Sequence, residues 1–131
     1  NRSSRGLGDV YKRQDLGLSF VNKLKPVSYK FNSGTRTHYG LIAQDVETVL
    51  SDISKSTTDF AGFIKTDLPD EYYQEAEPHI PDGKKEGDLK SAAHSEYGLR
   101  YGEFISPLIK AVQELSAENT ALKARLDAAG L

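Results

Sequence analysis

The chain has 131 residues, room for one small domain and a tail, and its 17 Lys and Arg against 19 Asp and Glu leave a net charge of −2. So slight a charge gives no general electrostatic pull towards nucleic acid or a membrane surface, and no apolar run approaches the roughly 20 residues that span a bilayer. Cysteine is absent, which excludes disulfides and thiolate metal sites; methionine is absent too, so a C-terminal fragment of a longer protein is expected, with no signal-peptide pattern visible.

Residues 1–14 (NRSSRGLGDVYKRQ) are basic, contain Gly and Ser, and have no periodicity. GDVYKRQ resembles the translated sequencing-adapter remnant found at the ends of assembled environmental reads. The stretch is therefore set aside from fold reasoning, the alternative being a natural flexible arm. In residues 15–25, Asp15 is a candidate cap, and Leu16, Phe20 and Leu24 recur every four residues with Val21 beside them, which predicts a short amphipathic helix. Pro26 ends it, because the residue before a proline avoids the α region. Val27 to Phe31 alternates Val, Tyr and Phe on one face, a strand pattern, and Asn32-Ser33-Gly34 supplies a turn. Thr37 to Ile42 is expected to return as a second, antiparallel strand. Gln44 to Leu50 is expected to be helical, with Val46, Val49 and Leu50 on its buried side.

Asp59 to Lys65 predicts a strand, with Gly62 as a bulge. Residues 60–95 look like an inserted arm. Pro69, Pro78, Pro81, Gly83 and Gly87 argue against a long regular element, and residues 66–90 carry eight acids against three lysines. A solvated loop is the plain reading; Tyr72, Tyr73 and Ile80 would be the residues to pin the arm to a neighbouring chain. Tyr97 to Tyr101 is expected to be a short strand.

From Ser106 to Ala129 the apolar residues step by three and four. Ile105, Val112, Asn119 and Leu126 fall at heptad position a, and Leu108, Leu115, Leu122 and Ala129 at d. Ser106 is a candidate N-cap, Pro107 fits the start of a helix, and Gly130 its end. So narrow a stripe predicts self-association. Glu118 at g would face Lys123 at e of a parallel copy, and a lone Asn at a fixes register at some cost in stability. Ile109 at e widens the stripe near its start, so the first two turns are candidates for packing on the chain's own domain.

LKPVSYKF, HYGLIAQDVE and YGEFISPLIKAVQELSAENTALKARL occur in this order, at residues 24–31, 38–47 and 101–126. The combination resembles the intramolecular chaperone auto-processing domain, the self-cleaving C-terminal peptidase domain of phage tail spikes, endosialidases and tail fibres. The resemblance covers about 15–50 and 97–129. It implies a homotrimer that registers the upstream fibre or spike segment of the same polypeptide, in a virion tail-fibre precursor acting in the host bacterial cytoplasm. It also implies release by cleavage at a Ser-Asp bond, with that Ser as nucleophile and a Lys five residues on as its base. His38, at the family's HxG position, would assist that cleavage, with Gly40 letting the backbone pass beside it and Gln44 orienting a hydroxyl or the scissile carbonyl. The motif belongs upstream of Asp15, where residues 1–14 do not match it. Ser51-Asp52 has the dipeptide, but Lys55 stands four residues beyond Ser51, and the pair is read as a turn. The fragment as written therefore lacks the nucleophile and base of a single-turnover serine endopeptidase.

The expected architecture is α+β: a head over 15–104 with a small antiparallel sheet, short helices and the extended arm, then a coiled-coil helix over 105–131. No cofactor and no metal is expected, since His79 and His94 near Glu75 and Glu77 match no ligand spacing. Neither nucleic acid nor membrane is expected as a partner. Two alternatives stand beside this reading. One is a trimerisation or attachment module of a fibre without cleavage. The other is a host-derived homologue, because the same domain resembles the self-cleaving part of membrane-bound animal transcription factors.

Overall fold

The structure is a computed structural model that describes residues 13–131; the expectations for residues 1–12 lie outside it. The chain divides into two units, one formed by the stretch up to Leu24 with Gly102–Leu131, the other by Lys25–Tyr101.

In the second unit the expected small antiparallel sheet is present as three two-stranded ribbons. β1 (Val27–Tyr29) pairs with β2 (His38–Gly40), with Tyr29 opposite His38 and Val27 opposite Gly40. Both are shorter than the alternation suggested, because the chain turns at Phe31, whose carbonyl accepts the Gly34 N–H at 2.9 Å. α2 (Ala43–Asp52) buries Val46, Val49 and Leu50, as the i, i+3, i+4 spacing predicts. Ser51-Asp52 is the end of this helix, not a free turn. Beyond it Ser54 takes φ +62°, and the N–H groups of Ser54 and Lys55 close onto the carbonyls of Ser51 (3.0 Å) and Leu50 (2.8 Å). This is the left-handed C-terminal closure usually given to glycine.

β3 (Phe63–Leu68) and β6 (His94–Leu99) form a six-residue ladder running from the Phe63–Leu99 pair to the Leu68–His94 pair. α2 lies against both strands. Phe60 and Phe63 complete the buried set with the inner face of α2. The strand starts at Phe63, four residues later than expected, and Gly62 lies in the turn before it rather than in a bulge. The arm is a hairpin rather than a structureless loop. β4 (Glu71–Tyr72) pairs with β5 (Leu89–Ser91) after a register shift, and Tyr73 closes the tip through Asp88 and Gly87, each at 2.9 Å. Gly83 (φ +84°) and Gly87 (φ +90°) supply the left-handed turns that the prolines and glycines announced.

His94 opens β6 with Nδ1 3.0 Å from the Ala92 carbonyl and Nε2 3.7 Å from a Glu96 carboxylate oxygen. The Ala92 carbonyl, and after it Glu96, hold its pKa above the usual 6.5. A raised folded value means the hairpin gains stability that is complete below pH 6.5 and fades as pH climbs through the folded value. An NMR titration is expected to place His94 above 6.5, and Glu96→Gln to move it only part of the way back, because the carbonyl remains.

In the first unit α1 (Leu18–Lys23) packs against α3 (Ile105–Ala128), which a 3₁₀ turn (Tyr101–Phe104) introduces. Phe20 is buried and stacks on Phe104, ring centroids 6.2 Å apart at 20°, and Pro107 and Ala111 are buried beside them. Two expected caps are replaced. The N-cap of α1 is Gly17, not Asp15, and its orphan Leu18 N–H is satisfied by Glu114 Oε1 at 2.8 Å. The N-cap of α3 is Phe104, because the 3₁₀ turn runs straight into the helix. Ser106 therefore sits inside the first turn and hydrogen-bonds Gln14 instead. Pro107 falls in that first turn, where its missing N–H costs nothing. At the other end Gly130 (φ +76°) lets Gly130 and Leu131 return their N–H groups to Asp127 (3.1 Å) and Leu126 (3.0 Å). Among the described residues no helix is long and apolar enough to cross a membrane.

Candidate functional site

Three features bear on function: a ring cluster and a cleft in the second unit, and an apolar stripe in the first. The ring cluster follows from the β1–β2 register. Tyr29, directly opposite His38, stacks on its imidazole (5.4 Å, 21°), and Phe31, two residues further on, meets it edge-on at 4.8 Å. Tyr29 and Phe31 also touch each other edge to face at 5.8 Å. The imidazole of His38 is half-buried, with one ring stacked on it and another meeting it edge-on. The alternation of Tyr29 and Phe31 on one face was visible in the sequence; that their partner would be His38 was not.

Gly40, one pleat on, clears space for Tyr101 rather than for the histidine. A Cβ at Gly40 would stand 2.5 Å from Tyr101 Oη and 3.4 Å from its Cζ. The phenol accepts the Leu41 N–H at 3.0 Å and donates to the Leu41 carbonyl at 3.4 Å. Gly40→Ala must swing the ring off Leu41 and is expected to destabilise the unit by about 1–2 kcal/mol, read by denaturant melts. An unchanged midpoint would mean that the phenol anchors nothing.

Gln44, at the second position of α2, lines an open cleft of about 440 Å³ with Leu41, Ser95, Tyr97 and Tyr101. His38 lies outside that lining, so the cleft does not join the two residues that the resemblance linked. Sequence reasoning missed Tyr97, Tyr101 and the Ser95 hydroxyl, which donates to Asp67 at 2.5 Å. A second cleft, of about 470 Å³, takes in Ser51, Asp52, Glu47 and Lys55. There the Ser51 carbonyl is already occupied by the Ser54 N–H, as befits a helix end.

The stripe on α3 is bare. Ile105, Leu108, Val112, Leu115, Leu122 and Leu126 are 45% to 64% exposed, and Ile109 is exposed with them. The own-chain contact of the helix uses a different side, that of Phe104, Pro107 and Ala111. The first two turns thus pack on the chain's own unit as expected, but through Pro107 and Ala111 rather than through Ile109. Asn119 is exposed in line with the leucines, and Glu118, Asn119, Leu122 and Arg125 line a shallow apolar trough beside Leu115.

Comparison with known proteins places these features. Residues 9–55 match the model of the peptidase S74 family, described as the chaperone of endosialidase. That match contains β1, β2 with His38, and α2. A crystal structure of a novel intramolecular chaperone superposes with a TM-score of 0.53 at 20% identity, over 94% of this chain and 99% of that one. The carboxy-terminal domain of the bacteriophage T5 L-shaped tail fibre, with its intramolecular chaperone domain, gives a TM-score of 0.54 at 17% identity. All of this chain is covered there, but it spans only 32% of the T5 chain. At these identities the likeness is one of fold. No curated protein sequence matches.

Proposed function

Taking this chain as a member of the endosialidase-chaperone family, which its residues 9–55 match, we propose that it is a C-terminal intramolecular chaperone that trimerises and so registers an upstream phage tail-fibre or spike segment. The observation that carries this reading is the bare seam Ile105–Leu126 on a helix whose other side is already packed on its own unit. A soluble chain does not leave so regular an apolar stripe exposed without a partner. Glu118 and Lys123 at g and e favour parallel copies of the same helix.

The physical task is entropic. Separate fibre chains meet at a common register only by ordering many residues at once. A C-terminal seam that associates first makes the later encounters intramolecular, which raises the effective concentration of the upstream strands. The natural setting is a tail-fibre precursor during assembly in the bacterial cytoplasm.

Release by self-cleavage is the second part of the proposal. Its Ser-Asp bond and Lys would stand upstream of Asp15, and His38, packed against Tyr29 and Phe31, would assist proton transfer.

Light scattering on the chain is expected to return the mass of three copies. A strict monomer at tens of micromolar would overturn the reading. Sequencing the parent gene decides on cleavage: a Ser-Asp with Lys five residues after the Ser supports it. Without that motif the chain is a non-cleaving trimerisation module.

A further inference from the structure

On the side of α3 away from its exposed leucines, three polar residues stand one turn apart: Ser106, Lys110 and Glu114. Each takes hold of the segment that leads into α1. Ser106 Oγ donates to the Gln14 side-chain carbonyl. Lys110 Nζ donates to the Gln14 backbone carbonyl at 2.6 Å. Glu114 Oε1 accepts the Leu18 N–H at 2.8 Å. Residues 14 to 18 thus run alongside residues 106 to 114 in the same direction, with one hydrogen bond near each helical turn. Gly17 is the residue that permits the last of these: a Cβ there would collide with the Glu114 carboxylate and stand 3.0 Å from Lys110 Cγ.

We propose that Ser106, Lys110 and Glu114 form a seat that fixes the height at which the upstream polypeptide joins the oligomerisation helix. Gln14 closes the stretch set aside above, but the Lys110 and Glu114 bonds go to backbone groups and hold whichever residue stands at position 14, so the seat reads the path of the chain; only the Ser106 bond uses the Gln14 side chain. Both of the backbone bonds involve a charged group, the stronger kind of hydrogen bond. The inference rests on the self-association proposed above. Helices aligned through their leucines would then deliver their upstream chains at one level, because each chain is tied to its own helix at the same turn. A loose joint at Gln14–Leu18 would let the upstream chains slide against one another even with the helices in register.

The test is hydrogen exchange and light scattering on the whole chain, with Lys110→Met and Glu114→Gln made singly and together. These variants keep the aliphatic stems and remove the charges. The seat predicts that the Leu18 amide exchanges roughly five- to tenfold faster in Glu114→Gln, and that Lys110→Met exposes the bond after Arg13 to trypsin. The amides of α3 and the mass are expected to stay as in the parent. Unchanged exchange at Leu18 together with unchanged tryptic cleavage in the double variant would overturn the seat. If instead the parent chain is a monomer, the self-association reading fails, and the exchange data still report on the seat by itself. Loss of α3 protection would mean that the substitutions act through folding of the helix, and would also count against a positioning role.

Discussion

Leu115→Asp is expected to turn the assembled chain into a monomer. Leu115 lies at the middle of the exposed seam, 55% accessible in the single chain, with Val112 and Leu108 before it and Leu122 after it. In an assembly each copy loses the burial of a leucine, roughly 2–3 kcal/mol, and must also bring a carboxylate into an apolar layer among like charges. The combined loss exceeds about 4 kcal/mol per copy, a thousandfold or more in association. Sedimentation or light scattering reads the result directly. Ala124→Asp, on the outer face of the same helix, is the control and is expected to leave the mass unchanged. An oligomer that survives Leu115→Asp would show that the copies meet elsewhere.

Phe20→Ala is expected to have the largest effect on folding of the first unit. Phe20 is 1% exposed and stacks on Phe104, itself 5% exposed. Removing a buried phenylalanine ring costs about 3–5 kcal/mol. α1 has six residues and no stability of its own, so it stays helical only while it leans on α3. Denaturant melts are expected to lose a large share of the stability, and exchange is expected to show α1 opening before α3. A change below about 1 kcal/mol would mean that α1 is held by something other than this ring pair.

Local signals reached some of this structure and stopped short of the rest. The inner face of α2 was readable because Val46, Val49 and Leu50 encode their own period. The β1–β2 pairing was readable because the turn residues Asn32-Ser33-Gly34 separate an alternating run from a second apolar run, although eight residues lie between the paired strands themselves. The caps were not readable. The N-terminus of α1 is capped by Glu114, 96 residues away, and no local pattern at Asp15 could reveal that. Ser106 looked like a cap because of its type and place, but a 3₁₀ turn from Tyr101 had already begun the spiral. In the arm, prolines and glycines correctly ruled out a long element yet hid the pairing of β4 with β5, since each strand is too short to show alternation. At the candidate site the family resemblance singled out His38, whereas the rings it packs against are Tyr29 and Phe31, and Gly40 answers to Tyr101, a partner 61 positions later. Contacts of that range are set by the folded chain and leave no mark in the neighbourhood of the residue.

The seam is brief. It offers eight layers from Ile105 to Ala129, one of them an asparagine and the last only an alanine, before Gly130 turns the backbone away. In the proposed assembly so short a seam holds at about tens of micromolar, and its grip weakens by mass action as the chains are diluted below that. A helper built this way would need no second machine to take it apart: severed from its cargo, it would come undone by dilution.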